Sequence, residues 1–276
     1  MTLREALLEA THRLELQRIP SPRLCAEVLL AHFLKVDKTY LFAHDDRVIG
    51  AEEYELIENA IYERISGVPV QYIVGHQEFY GRDFIVNSSV LIPRPETEFI
   101  IESVLESQPA PNSRIIDVGT GSGCIAVTLS LELPQATVFA GDISEKALNV
   151  ASLNAARLEA KVGFACMDVL DAVSGPFDLI VSNPPYVRRS DVDRLQREVR
   201  DHEPHVALFF SDDELEIYRR LIAACADRLT TGGMLIMEIG YAMEEAVLSL
   251  LDKRWNRLPT KTDLQGIPRT IIATKT

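Results

Sequence analysis

The chain has 276 residues, with 28 Lys and Arg against 41 Asp and Glu, a formal net charge of −13. That length allows one large domain or two smaller ones, and the residue usage is that of an ordinary soluble globular protein. So acidic a surface repels phosphate backbones, which argues against a stable nucleic-acid partner, and no apolar run is long enough to span a bilayer.

The opening "MTLREALLEATHRLE" is charged and periodic, without the apolar core of a signal peptide. Leu3, Leu7, Leu8 and Leu14 recur at helical spacing. In "SPRLCAEVLLAHFL", Ser21 is a candidate N-cap and Pro22 takes the first helical position. Leu24, Val28, Leu29 and Leu30 are the expected apolar stripe. "GAEEYELIENAIYERIS" predicts a third long helix, with acidic residues in its first turn where the helix dipole favours them. Residues 1–73 are therefore expected to form a helical domain. From Val68 the texture turns aromatic and β-branched, broken by Gly75 and Gly81, and predicts a β-hairpin linker over 74–93. "PRPETE" then opens a helix running to about Ser107.

Residues 94–276 alternate strands and helices. "RIIDVG", "ATVFAGD", "KVGFACMD", "FDLIVSN", "GGMLIMEIG" and "RTIIATK" read as strands. "SEKALNVASLNAARL", "DDELEIYRRLIAACADRL" and "YAMEEAVLSLLDK" read as helices, with another beginning near Ser122. That order predicts an α/β domain with a mostly parallel, doubly wound sheet, whose ligands bind beyond the carboxyl ends of the strands. Cys25, Cys124, Cys166 and Cys225 are scattered, with no C-x-x-C pair and no histidine at ligand spacing. They are expected to be buried thiols in a reducing cytoplasm, with no metal site.

Two motifs carry chemistry. In "IIDVGTGSGC", Gly119, Gly121 and Gly123 follow a strand and let backbone approach a ligand closely. A plain strand-to-helix turn would use the same glycines, but Asp142 ends the next strand, where a carboxylate can take both ribose hydroxyls of an adenosine. Asp117, just ahead of the loop, would repel a pyrophosphate and suits a cationic ligand. S-adenosylmethionine, with a sulfonium, an ammonium and no phosphate, fits that pattern. Asp168 follows the third strand, where it could accept the adenine amino group while Val169 packs on the ring; a solvated strand end is the other reading.

The second motif is "SNPPY". Asn183 is held extended by the proline after it, and Pro184 and Pro185 fix φ and donate nothing. The Asn183 side-chain oxygen and a backbone carbonyl, that of Pro184, form a rigid pair of acceptors, with Tyr186 supplying a flat face. Such a corner suits a planar –NH2 group. Gripping both hydrogens while the nitrogen pyramidalises favours the transition state over the flat ground state. The bland alternative is a strand-ending turn.

With these residues in hand, the chain resembles the release factor glutamine methyltransferases, the PrmC/HemK family. The segments that carry the resemblance are "GVPVQYIVGHQEFYG", "LIPRPETE", "DVGTGSGCIA" and "VSNPPYV", with the later "HEP" and "MEIG". The resemblance implies a helical substrate-recognition domain and a class I methyltransferase domain. It also implies transfer of a methyl group to N5 of the Gly-Gly-Gln glutamine in class 1 peptide chain release factors. S-adenosylhomocysteine is the co-product, and the enzyme is expected to be monomeric. Carried over, Gly119, Thr120, Gly121, Ser122, Gly123, Asp142 and Asn183 look like cofactor contacts; Asp117, Ile143, Asp168 and Val169 join them as candidates from their own places in the chain. Asn183, Pro184, Pro185 and Tyr186 are the candidate substrate clamp, with Asn183, Pro184 and Tyr186 in catalytic roles. Relatives often carry an aromatic residue where this chain has Val169, and a glycine-rich loop where it has "HEPHVALFFSDDELE". Arg94 and Glu96 either cap a helix or border the cofactor; Phe79 and Tyr80 either pack the core or line a substrate channel. The competing functions are an adenine-N6 methyltransferase on DNA or RNA and a binding module that no longer catalyses.

Overall fold

The computed structural model describes residues 1–276 and divides them into two compact units: Met1–His76 with Gln196–His202, and Gln77–Leu195 with Glu203–Thr276. No helix is long and apolar enough to cross a membrane.

The first unit is helical: α1 (Leu3–Leu16), α2 (Pro22–Leu34), α3 (Lys38–Ala43), α4 (Ala51–Ser66) and α5 (Val70–Val74). Thr2 and Glu5 start α1 with a reciprocal capping box. Leu3, Leu7, Ala10 and Leu14 then share one face and pack with Leu29, Leu30 and Ile61. Leu8 sits one residue off that stripe, about 100° round the helix, and is 56% exposed. Leu24 is likewise exposed, and Cys25 and Ala26 take its expected place in the core. Ser21 makes no cap: it adopts a left-handed φ of 49°, and Pro22 alone pre-organises the first turn. The β-branched run after Val68 is not extended throughout, since Val70–Val74 closes as a helix ended by Gly75 at φ 79°. Gln196–His202, read from sequence as part of the second domain, clusters here instead. The nearly inaccessible Arg64 pairs with Glu198, and Arg197 donates to the Ser66 carbonyl at 2.7 Å.

The next elements in the chain are β1 (His76–Phe79), β2 (Arg82–Ile85), α6 (Glu98–Glu106), β3 (Arg114–Val118), α7 (Cys124–Glu132), β4 (Thr137–Asp142), α8 (Glu145–Arg157), β5 (Val162–Cys166) and β6 (Phe177–Ser182). They are followed by α9 (Arg197–His202), α10 (His205–Leu208), α11 (Glu216–Arg228), β7 (Leu229–Glu238), α12 (Glu244–Ser249), β8 (Trp255–Arg257), β9 (Lys261–Thr262) and β10 (Pro268–Lys275). β1 and β2 pair as a hairpin; the large sheet runs β5-β4-β3-β6-β7-β10-β8, with β9 on β10. β5 to β7 are parallel and β10 is antiparallel to β7. Helices cover both faces, so β3 and β6 read as nearly continuous apolar runs. Tyr218, Leu221 and Ile222 of α11 pack one face; Ile100, Ile101, Ile125 and Leu129 of α6 and α7 pack the other. α11 begins later than the acidic run that precedes it, because the Asp213 carboxylate accepts the Leu215 N–H at 3.0 Å and stops the turn there. Three of the four cysteines are buried, but Cys166, at the end of β5, is exposed.

From β3 the chain builds outward through β4 to β5, then crosses to the other side of β3 to lay down β6. The carboxyl ends of β3 and β6 therefore diverge into a crevice.

Candidate active site

A cavity of about 350 Å³ opens at that crevice. Gly119 and Gly121 line it at φ 74° and 55°, and a Cβ on either would meet nothing within 4 Å. Their backbone faces open space, as a close-held ligand requires. Gly123 does something else. It does not line the cavity, and its Cβ would come within 3.0 Å of Ala151, so it lets α7 approach α8. Thr120 and Ser122 complete the lining of the loop.

Asp117 departs from its expected role. It is fully buried behind the loop, does not line the cavity, and accepts the Thr120 hydroxyl at 2.6 Å. Through that bond the Asp117 carboxylate braces the turn. Burial pushes its pKa up to about 7, against the pull of the Thr120 hydrogen bond. Asp142 and Ile143 do line the cavity. The Asp142 carboxylate accepts the Gly121 N–H and the Ser144 N–H, each at 2.9 Å, which fixes it between the loop and the start of α8. Burial raises its pKa, and those N–H groups oppose the shift. Two bonds leave lone pairs for further donors. Asp168 and Val169 also line the wall. One Asp168 oxygen is taken by Arg220 at 2.8 Å, and the Arg220 guanidinium lies 5.2 Å over the Phe210 ring. Val169 adopts φ 59°, which a β-branched residue seldom does.

At the end of β6 the Ser182 hydroxyl donates to the Val118 carbonyl at 2.7 Å and ties the two strand ends together. Asn183, Pro184 and Pro185 line the cavity beyond it. Asn183 Nδ2 donates to Thr97 Oγ1 at 3.0 Å, which leaves Oδ1 without a protein donor. Tyr186 does not present its ring to the cavity. The ring packs so closely on Gly240 that a Cβ there would lie 3.1 Å from it, and the hydroxyl donates to Glu238 Oε1 at 3.1 Å. Glu238, 2% exposed, also accepts the Thr97 hydroxyl at 2.7 Å.

Sequence reading missed Thr97 and Glu238, and left Val206, Phe209 and Phe210 without a role; Thr97 and those three line the cavity. Arg94 lines it as well, held at 2.6 Å by the buried Glu203. Phe79 belongs to the core, Tyr80 packs beside it, and neither reaches the cavity. Glu96 lies 4.0 Å from Arg269 and is part-exposed.

Burial pushes Glu238 up to about 7 from its ordinary 4.5, opposed by the hydrogen bonds from Thr97 and Tyr186. A carboxyl whose pKa rises on folding holds a proton that the unfolded chain gives up between those values. Its contribution to stability is complete below about 4.5 and is lost as the pH rises through about 7. Between pH 4.5 and 7 the wild type is therefore expected to lose on the order of 3 kcal/mol relative to Glu238→Gln. Urea melts of both proteins across that range measure the difference; a gap that stays constant with pH contradicts it.

The lining fits S-adenosylmethionine. It pairs the two bare glycines with the carboxylate of Asp142; its other charged side chains, Asp168 and Arg94, are already paired with Arg220 and Glu203. A phosphate would find repulsion there, whereas a sulfonium with an adenosine would not.

Comparison with known proteins agrees. The chain matches the family model described as PrmC N-terminal domain over residues 5–75, and the one described as methyltransferase small domain over 95–200. A release factor glutamine methyltransferase from Koribacter versatilis is 48% identical, covering 100% of this chain and 99% of the relative. One from Nitratidesulfovibrio vulgaris is 40% identical, covering 99% and 95%. Among solved structures, a Pyrococcus furiosus methyltransferase aligns with TM-score 0.54 at 17% identity, over 79% of this chain and 98% of the other. TrmN from Thermus thermophilus aligns with TM-score 0.50 at 16% identity, over 84% and 69%. At these identities the structures speak for the fold alone.

Proposed function

The chain belongs to the release factor glutamine methyltransferase family, and on that premise we propose that its Asn183–Pro184 corner grips the glutamine side-chain amide of a class 1 release factor while the glycine loop and Asp142 hold the methyl donor. The enzyme is a methyltransferase that uses S-adenosylmethionine to modify release factor glutamine. The finer reading is that the target is N5 of the Gly-Gly-Gln glutamine, in a cytoplasmic, monomeric enzyme with no stable nucleic-acid partner. The net charge of −13 supports the last point and disfavours adenine in DNA or RNA as the target.

The observation that carries the reading is Asn183 Oδ1. Its residue lines the cavity, no protein donor reaches it, and the amide nitrogen beside it is already committed to Thr97. A carboxamide nitrogen is a poor nucleophile because its lone pair is delocalised. Asn183 Oδ1 and the Pro184 carbonyl can take one N–H each, hold the nitrogen in place, and strengthen their hold as it pyramidalises and becomes positive. The proline pair keeps that frame from relaxing. S-adenosylmethionine, when bound, supplies an electrophilic methyl group. Asp142 orients its ribose and the glycine loop admits its amino-acid end, so the reacting atoms meet without a large loss of entropy at the reaction step.

Labelled methyl transfer tests this directly. A release factor is expected to accept the label, and the same factor with its Gly-Gly-Gln glutamine replaced is expected to accept none. Equal labelling of both, or label on DNA alone, would overturn the assignment. Asp142→Ala is expected to weaken S-adenosylmethionine binding by about 2 kcal/mol, roughly 30-fold in Kd, through loss of charged hydrogen bonds. Calorimetry reads that value, and an unchanged Kd removes Asp142 from the cofactor site.

A further inference from the structure

Glu238 is a carboxylate at the end of a central strand, almost without solvent contact, in a position that a glutamine or a methionine would fill without the cost of burying a charge. Its two oxygens receive two hydroxyls. Thr97 Oγ1 donates to Oε2 at 2.7 Å and Tyr186 donates to Oε1 at 3.1 Å. One carboxylate thus holds both ends of the Asn183–Tyr186 corner: Tyr186 directly, and Asn183 through Thr97.

From this geometry we propose that Glu238 is a positioning residue for the amide clamp, setting through Thr97 which end of the Asn183 carboxamide faces the substrate. The inference rests on the reading of Asn183 given above. A carboxylate can only accept, and a threonine hydroxyl has a single proton to give. With that proton committed to Glu238, the lone pairs of Thr97 Oγ1 require a donor. Asn183 Nδ2 is the donor present, at 3.0 Å. The amide is thereby fixed with NH2 towards Thr97 and Oδ1 towards the cavity. A flipped Asn183 would set its oxygen against the Thr97 oxygen and its NH2 against the substrate NH2, so two acceptors would face each other at one end and two donors at the other. Polarity therefore runs one way along the chain of groups from Glu238 to the reacting nitrogen.

Glutamine at 238 has nearly the same shape and lacks that polarity. It can accept from Thr97 and donate to Tyr186, or the reverse. In the second arrangement the Thr97 proton is free to bond Asn183 Oδ1, which turns the wrong face of the amide to the cavity. Valine at 97 removes the link altogether, and serine preserves it.

The test compares Glu238→Gln, Thr97→Val and Thr97→Ser with wild type at pH 8, measuring methyl transfer to a release factor and S-adenosylhomocysteine binding. Glu238→Gln and Thr97→Val are expected to lower kcat by about tenfold or more, with KM for the release factor and cofactor affinity within about threefold of wild type. Thr97→Ser is expected to keep kcat within about twofold. Full kcat in both Glu238→Gln and Thr97→Val overturns the proposal. So does parallel loss of kcat and cofactor binding, which marks a merely structural role. Should Glu238→Gln fail to fold, Thr97→Val reads the same link. A second readout needs no turnover: the Asn183 side-chain NH2 protons, followed by NMR, are expected to exchange slowly in wild type and Thr97→Ser, and faster in Thr97→Val. If wild type labels no release factor, the substrate reading fails, and this exchange measurement still decides whether Glu238 and Thr97 fix the amide.

Discussion

Replacing Asn183 with alanine is expected to lower kcat by about two orders of magnitude and leave S-adenosylmethionine binding almost unchanged. Alanine removes Oδ1, one of the two acceptors, and leaves the proline frame and the cavity wall standing. Loss of one preorganised group that meets charge developing in the transition state costs about 3 kcal/mol, roughly a 150-fold fall in rate. The effect falls on turnover because the bond is tightest when the nitrogen is pyramidal and positive, not when the flat amide first docks. Single-turnover labelling with saturating cofactor measures the step. A variant whose kcat stays within about threefold of wild type shows that Asn183 is not the acceptor.

The second large effect is on stability. Asn154 is fully buried in the last turn of α8, and it exchanges two hydrogen bonds with the backbone of Ile85, at 2.7 and 2.9 Å. Its NH2 also donates to the Ser122 carbonyl at 2.9 Å. One side chain thus pins the hairpin to α8 and steadies the glycine loop. Asn154→Leu keeps the volume roughly constant and strands the Ile85 N–H and two carbonyls. Unpaired buried groups cost about 1–3 kcal/mol each, so a loss of roughly 3 kcal/mol or more is expected. In a protein of this size that lowers the melting midpoint by roughly 6–12 °C. The same variant is expected to bind S-adenosylmethionine more weakly, since Ser122 lines the cavity. A melt like that of wild type would mean that water replaces the side chain and that the tie is dispensable.

Much of the second unit was legible because its chemistry is written in local spacing. Glycines alternating after an apolar strand, an acid at the end of the next strand, and Asn-Pro-Pro-Tyr after the fourth strand each need only a few consecutive residues to be read. The cavity brings Gly119 to Ser122, Asp142, Ile143, Asp168, Val169 and Asn183 to Pro185 to one wall.

What stayed hidden depends on partners far apart in sequence. Thr97 and Glu238 are 141 residues apart, and each alone looks like an ordinary helix start or strand end. Asp117 misled because its place before the loop suggests a ligand contact. A strand buried on both faces gives no period-two pattern by which to tell which way a side chain points. Tyr186 misled in the opposite sense: the aromatic residue read as a face for the substrate turns to Gly240 and gives its hydroxyl to Glu238. The short elements were illegible for a simpler reason. α5 carries Val70, Ile73 and Val74, whose β-branching favours strand, and only the left-handed Gly75 betrays a helix end. β8 and β9, at three and two residues, are too short to show any period.

The most direct test is the structure of the enzyme with S-adenosylhomocysteine and a release factor bearing its intact glutamine. The glutamine amide nitrogen is expected within about 3.2 Å of both Asn183 Oδ1 and the Pro184 carbonyl, and in line with the sulfur from which the methyl departs. An amide bound elsewhere in the cavity, or an Asn183 that offers its NH2 to the glutamine, would contradict the account.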